Sequence, residues 1–300
     1  MISIILKVSN LPYILISERD MSSKLQIARE HVANGEKALK KNFLAFKFSS
    51  DYMTASSEFT EAAQLFSIAG AHDEAKSAWI KAAESRLHEN DHFSAGRCYE
   101  SAGLWDKSAE CFILASKQDA AARVWIKQGN EDPSKADECF EKVIAMYTDE
   151  NEDKAVLAVD VYRQYLAKIG VSDLPKTAKV GSGFMEVLKR LDHWPFVHKE
   201  VLTLVIISLV QGDTVKAEKL LTSSMGSVKD WMRSSECGIA EDLVQSIKDQ
   251  DAELLAATLK KQTLTYLRPD IVRLARTLKI DNPTEHKPDE PTVDESELLR

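Results

Sequence analysis

Residues 55–99 read ASSEFTEAAQLFSIAGAHDEAKSAWIKAAESRLHENDHFSAGRCY. Three times in this stretch an alanine precedes an aromatic residue by four positions: Ala55/Phe59, Ala75/Trp79 and Ala95/Tyr99. Positions i and i+4 share one face of a helix. A small side chain one turn from a large ring makes a hole beside a knob, so that neighbouring helices can approach closely. The pairing recurs at Ala121/Trp125, Ala136/Phe140 and Ala158/Tyr162, and Ser108/Phe112 repeats it with another small residue.

The seven aromatics are spaced 20, 20, 13, 13, 15 and 22 residues apart. Their mean, about 17, is half of the 34-residue tetratricopeptide unit. Turn signals fall between them at 69–70 (AG), 89–91 (END), 102–103 (AG), 129–133 (GNEDP) and 149–153 (DENED). A lone hairpin cannot bury its apolar face, so consecutive hairpins must stack. The expected fold is all-α. Tetratricopeptide-like stacked hairpins form a twisted curved sheet with a concave side over 21–192, and a C-terminal helical bundle follows over 193–280. Beyond the repeated pairs a helix is expected to open at 182–184 and to break at 193–195. An apolar helix follows over 196–211, then another from Thr214, a looser stretch over 223–237, two short helices over 236–260 and a last one over 270–278.

Eleven glycines and eight prolines are few for 300 residues, which favours long helices with short connections. A net charge of −8 argues against general nucleic-acid binding, which needs a basic face. The charge is uneven. Residues 281–300 carry seven acidic and two basic side chains and read as a flexible acidic tail, whereas 24–50 carry six basic and two acidic. Cys98, Cys111, Cys139 and Cys237 form no CxxC pair and suit a reducing, cytoplasmic setting. Residues 1–20 begin apolar, but Lys7 and Pro12 interrupt them. They read as a disordered extension ahead of a helix spanning 24–41. The apolar run 201–210 is too short to span a bilayer and reads as a buried helix.

No Walker loop, GxGxxG, HExxH or nucleophile elbow occurs. His88, Asp91, His92 and Cys98 form the densest ligand-like cluster, but the residues between the histidines look like a turn between helices. The sequence therefore makes no case for an enzyme, a metal or a cofactor.

Its most unusual local feature is KKNFLAFKFSSDY at 40–52. Phe43, Leu44, Phe46 and Phe48 crowd into six positions between two helices, with Lys40, Lys41 and Lys47 among them. Phe43 and Phe46 could tuck beneath the first hairpin, and Phe48 is the ring expected to turn inward. Four bulky groups nevertheless exceed what a short connection usually buries, and an exposed patch of this kind marks a membrane or protein contact. Interleaved lysines suit an anionic membrane surface, at ~1 kcal/mol each.

The helical array, the apolar loop and the acidic tail together resemble the SNAP family, the soluble NSF attachment proteins. The resemblance is carried by KALKKNFLAFKFSSDYMTASSEFTEAAQLFSIAGAHDEAKSAWIKAAE (37–84), SSECGIAEDLVQSIKDQD (234–251) and TYLRPDIVRLARTLKI (265–280). These look like the gamma type, while the final ESELLR looks more like the alpha type. The resemblance implies an adaptor with no catalysis of its own. Such a protein is a monomer when free and acts in several copies per complex. It holds the four-helix SNARE complex, recruits and stimulates the hexameric ATPase NSF in vesicle-mediated transport, and associates peripherally with membrane.

Carried over by position, Phe43, Leu44, Phe46 and Phe48 with the three lysines would attach to membrane. Leu299, second from the end, would stimulate the ATPase, and Asp249 would contact it. Gln245 and Lys248 stand where the alpha type has acids, which shifts that contact toward Glu241, Asp242 and Asp251. Lys176, Lys179, Lys189 and Lys199 are candidates to face the SNARE bundle. The alternative reading is a tetratricopeptide-like scaffold that binds a peptide or helix in an unrelated complex.

Overall fold

A computed structural model describes residues 18–40, 50–149 and 154–280. Among these residues the secondary structure is helical throughout, without strands. The α-helices are α1 (Glu18–Leu39), α2 (Tyr52–Ile68), α3 (His72–His88), α4 (His92–Ser101), α5 (Trp105–Leu114), α6 (Gln118–Glu131) and α7 (Ala136–Thr148). There follow α8 (Ala155–Ile169), α9 (Leu174–Arg190), α10 (Trp194–Val210), α11 (Thr214–Ser227), α12 (Ser235–Asp249), α13 (Ala252–Thr258) and α14 (Pro269–Ala275). Two 3₁₀ turns, Trp231–Arg233 and Gln262–Tyr266, join the last elements. The chain divides into two compact units between Met146 and Tyr147.

The small-plus-aromatic pairs fall one to a helix on α2 through α8. Every small member is buried, and so is every ring except the half-buried Trp79. In the first unit each of α1 to α5 packs on the next helix in sequence, as stacked hairpins require. Two packing devices accompany the pairs. At Gly35 a Cβ would lie 2.7 Å from Cε1 of Phe59, and at Gly96 one would lie 3.0 Å from Cε1 of Phe112, so the rings rest on bare backbone. On three pairs a lysine of the following helix covers the ring: Lys81 lies 5.5 Å from Phe59, Lys107 5.5 Å from Tyr99 and Lys142 5.6 Å from Trp125.

One turn is used seven times among the described residues. A left-handed residue follows the helix: Gly70, Asn90, Gly103, Ser116, Asp192, Gly212 or Gln250. The next N–H then donates to a carbonyl five residues back, as Ala71 does to Phe66 and Leu104 to Tyr99, both at 2.9 Å. This bond satisfies a carbonyl that the helix end would leave bare. The same residue is also the N-cap of the following helix, so the reversal is as short as it can be. Where that residue is aspartate its carboxylate caps as well: Asp91 accepts from the Ser94 N–H at 3.0 Å, Asp213 from Lys216 at 2.8 Å and Asp251 from Leu254 at 2.9 Å. Each such cap contributes about 1 kcal/mol.

In the second unit α10 is the core. Val201, Leu202 and the run Leu204–Leu209 are buried, with α9, α11, α12 and α14 packed around it. Trp231 is fully buried beside His198, whose Nε2 lies 2.8 Å from the Lys229 carbonyl. No described helix is long and apolar enough to cross a membrane.

Three expectations need correction. First, α9 opens at Leu174 rather than at 182–184, because Asp173 caps it (Oδ1 to the Lys176 N–H, 3.0 Å) and Pro175 suits its first turn. The glycines that looked like a helix start lie inside α9, where helices pass closely: a Cβ at Gly183 would sit 2.9 Å from the Tyr162 hydroxyl. Second, α6 runs through Gly129 to Glu131, so that turn begins only at Asp132. Gly129 is an interior contact, where a Cβ would meet Cβ of Cys139 at 3.1 Å. Third, the stretch 223–237 is not loose. α11 continues to Ser227, a 3₁₀ turn carries the buried Trp231, and α12 starts at Ser235.

Candidate functional site

The apolar segment between α1 and α2 is approached from its ends. Helix α1 stops at Leu39, with Lys40 exposed behind it. The Asp51 N–H donates to the Ala38 carbonyl at 3.1 Å, and the Ser50 hydroxyl donates to the Leu39 carbonyl at 2.7 Å. Asp51 in turn accepts from the Thr54 N–H at 3.0 Å and starts α2. The end of α1 and the start of α2 are therefore tied together by two hydrogen bonds, from Ser50 and Asp51 back to Leu39 and Ala38. Phe43, Leu44, Phe46 and Phe48, with Lys41 and Lys47, lie outside the described residues. So do Leu299 and the rest of the acidic tail.

The four C-terminal acids lie on α12 and at the start of α13. Glu241 and Asp249, eight residues apart, fall near one face of α12 with Gln245 between them, and both are exposed. The Gln245 amide donates to Asp249. Asp242, one position round the helix, pairs with Lys261. Asp251 caps α13 and is exposed at the turn beyond. The Cys237 thiol donates to Glu241 at 3.7 Å, and burial with that carboxylate pushes the thiol up to about 11. Lys248, one of the two departures from the alpha type, pairs with Glu218 of α11. This end of the unit thus alternates acids with one basic pair instead of forming a continuous acidic stripe.

The candidate lysines do not share one hollow. Lys179 is exposed along a groove with Ser182 and Leu204. Lys199 of α10 lines a separate cavity and stands over the Phe196 and Tyr266 rings, at 5.7 and 5.8 Å. The Lys176 ammonium lies 6.0 Å from the Tyr165 ring, and Lys189 pairs with Glu186 at 2.9 Å.

Of the histidine cluster, His88, Asp91 and Cys98 are engaged in packing or capping, while His92 opens α4 with its Nδ1 buried and without a hydrogen-bond partner. His88 stacks on Tyr52 with ring centroids 4.3 Å apart. Asp91 caps α4 and lies 3.4 Å from Arg86, and its carboxyl is held low although burial opposes this. Cys98 is buried, which raises its thiol. No group of three or more potential ligands among the described residues is placed to hold a metal ion.

One site has no counterpart in the sequence reading. Residues of α8, α9, α10 and the segment before α14 enclose a cavity of about 340 Å³, with the buried Glu200 in its wall. The available signal was an acid directly ahead of the apolar run VLTLVIISLV.

No family model matches the chain. It is 21% identical over 294 residues to the Gamma-soluble NSF attachment protein of Dictyostelium discoideum, covering 90% of this chain and 89% of that protein. It is 23% identical over 257 residues to the Gamma-soluble NSF attachment protein of Arabidopsis thaliana, covering 77% and 85%. Both alignments run through the helical array and into the C-terminal unit, since neither unit alone is long enough to hold them. Low in identity but sustained over most of its length, this similarity supports a relationship of the chain to the soluble NSF attachment proteins.

Proposed function

We propose that the chain is an adaptor that binds SNARE complexes and recruits and stimulates the NSF ATPase for their disassembly in vesicle-mediated transport. The observation that carries this reading is the match to gamma-type attachment proteins over most of both chains. Three local features support it. The ends on either side of 41–49 are tied by hydrogen bonds from Ser50 and Asp51 to Leu39 and Ala38, which suits a membrane-attachment loop of Phe43, Leu44, Phe46 and Phe48 flanked by Lys40, Lys41 and Lys47. Burying two or three such groups would contribute several kcal/mol at ~25 cal/mol per Å². The lysines would add attraction to anionic lipid.

Glu241, Asp249 and Asp251 are exposed at the end of the second unit, and Asp242 becomes available if Lys261 releases it. With Leu299 in the tail they form the proposed contact with the ATPase. Lys176, Lys179, Lys189 and Lys199 are offered for the SNARE bundle, Lys179 first because it is exposed whereas the other three are half-buried. Several copies side by side would turn weak membrane attachment by each into firm attachment of the whole.

The test is a pull-down of purified SNARE complex and NSF by this chain under a non-hydrolysable nucleotide, run beside liposome co-sedimentation. The expected result is a ternary complex and sedimentation with anionic vesicles. Replacing Phe43, Leu44 and Phe46 by serine should remove sedimentation while leaving the ternary complex intact. A chain that joins neither SNARE complex nor vesicles would instead be a scaffold for another partner.

A further inference from the structure

The cavity of the second unit lies between α8, α9 and α10 and is closed by the segment leading into α14. Its volume, about 340 Å³, is that of a small-ligand site. Its mouth is aromatic and cationic. Phe196 and Tyr266 are 44% and 59% exposed, Lys199 stands between their rings, and the Arg163 guanidinium lies 5.1 Å from the Phe196 centroid. Its interior holds Phe184, 6% exposed, the Glu200 carboxyl, 9% exposed, and the Arg268 guanidinium.

Two polar groups inside are unusual. Nε, Nη1 and Nη2 of Arg268 are all out of solvent contact and make no hydrogen bond. Among the described residues their ion-pair partner is Asp270, with Oδ2 at 3.4 Å from Nη2 and itself without a hydrogen bond, while the Glu200 carboxyl lines the same cavity. A buried guanidinium in that condition is costly unless something accepts from it. Glu200 also has no hydrogen-bond partner among the described residues. It sits against bare backbone of α9, where a Cβ at Gly181 would fall 2.5 Å from its Oε1. The glycine makes room for a carboxyl in a place where an apolar side chain would be the simpler solution.

The charges indicate what is missing. Arg163 is paired with Asp160 at 3.3 Å and Arg268 with Asp270. Lys199 has no carboxylate partner among the described residues, which leaves one positive charge at the mouth. A planar guanidinium with free donors matches a carboxylate or phosphate in two-point contact. A doubly charged phosphate would face Glu200 and Asp270 nearby, whereas a single carboxylate balances the surplus. The rings of Phe184, Phe196 and Tyr266 would enclose an apolar body attached to it.

We propose that this cavity binds a small organic acid, one carboxylate on an aromatic or alkyl body, with the acid on Arg268 and the body among Phe184, Phe196 and Tyr266. Burial pushes the Glu200 carboxyl up to about 7, against the pull of Arg268 and with the push of Asp270, so near neutrality it can donate a hydrogen bond to that carboxylate. The site is independent of the adaptor role.

The experiment is calorimetric titration of the full chain with 1-naphthoate and with decanoate, and with 1-naphthalenemethanol as an uncharged control. Saturable one-site binding of at least one acid is expected, with a Kd of about 100 µM or tighter. The alcohol should bind at least about tenfold more weakly, a difference of roughly 1.4 kcal/mol. Arg268→Met should weaken the acid by about tenfold or more, as expected for loss of a charge-assisted pair. Tyr266→Ala, a change at an exposed ring that leaves the core untouched, should weaken it several-fold. Whichever acid binds more tightly identifies the body as aromatic or alkyl. Failure of both acids to saturate at about 1 mM would overturn the proposal. Equal binding of the alcohol, or of the acids by the parent and Tyr266→Ala, would also overturn it.

Discussion

Glu200 illustrates how much one atom group can depend on its neighbours. Its ordinary value of 4.5 rises to about 7 because burial penalises the charge more than Arg268 rewards it, and Asp270 adds to the penalty. Arg163 and Lys199 face the same cavity, and α9 brings no charged group there, only the Phe184 ring and the backbone of Gly181. Between pH 4.5 and about 7 the unfolded chain has lost this proton while the folded chain keeps it. Stability therefore falls as pH rises through that window, by an amount on the order of 3 kcal/mol at completion. Glu200→Gln removes the effect. Urea unfolding should find the variant gaining roughly 2–3 kcal/mol on the parent between pH 5 and pH 8. An unchanged difference across that range would mean that Glu200 is not buried as described. The sequence signalled the buried helix here, through an unbroken apolar run, but not this residue. Lone acids beside apolar runs are common at helix starts, and only the packing of Gly181 against it separates this one from a solvated neighbour.

Helix packing in the first unit depends on which glycines touch something. Gly35 of α1 is in contact with the Phe59 ring, and a Cβ there would come within 2.7 Å of it. Gly238 of α12 has nothing within 4 Å of its would-be Cβ. Gly35→Ala should therefore cost about 1–3 kcal/mol by overpacking. Gly238→Ala should add about 0.5–1 kcal/mol through helix propensity. Chemical denaturation of the two single variants checks both, and opposite signs are the required outcome. The helices themselves were legible from the Ala/aromatic spacing, and the turns at 69–70, 89–91 and 102–103 from glycine and asparagine. The same turn at Ser116 and Gln250 was hidden, because residues that rarely adopt positive φ occupy it, whereas the one at Asp192 was anticipated by the break at 193–195. There the shape of the stacked helices sets the backbone, and side-chain preference yields. The start of α9 was misplaced for the converse reason. Gly181 and Gly183 looked like punctuation, whereas they serve close passage of α8 and α10 within an unbroken helix.

For the whole chain, the repeat announced an all-helical fold because one small-plus-aromatic pair falls on each helix from α2 to α8. Order along the chain announced the relationship to the attachment proteins, since no single motif carries it. The cavity around Arg268 was invisible by contrast, as its lining comes from segments about a hundred residues apart and has no local pattern. The four cysteines, which form no CxxC pair, are all free and buried. That burial makes each a clock for the motion of its surroundings. A thiol reacts as thiolate and only when reached, and burial raises Cys98, Cys111, Cys139 and Cys237 alike. A disulfide reagent added in native buffer should therefore modify them at the pace of local opening. Cys98 and Cys111 on α4 and α5 would time the first unit, and Cys237 on α12 the second. Gly35→Ala should quicken Cys98 and Cys111 more than Cys237. Modification of all four at the speed of free cysteine would contradict their enclosure. The protein thus carries an internal set of timers by which the loosening of one hairpin can be followed without adding a probe.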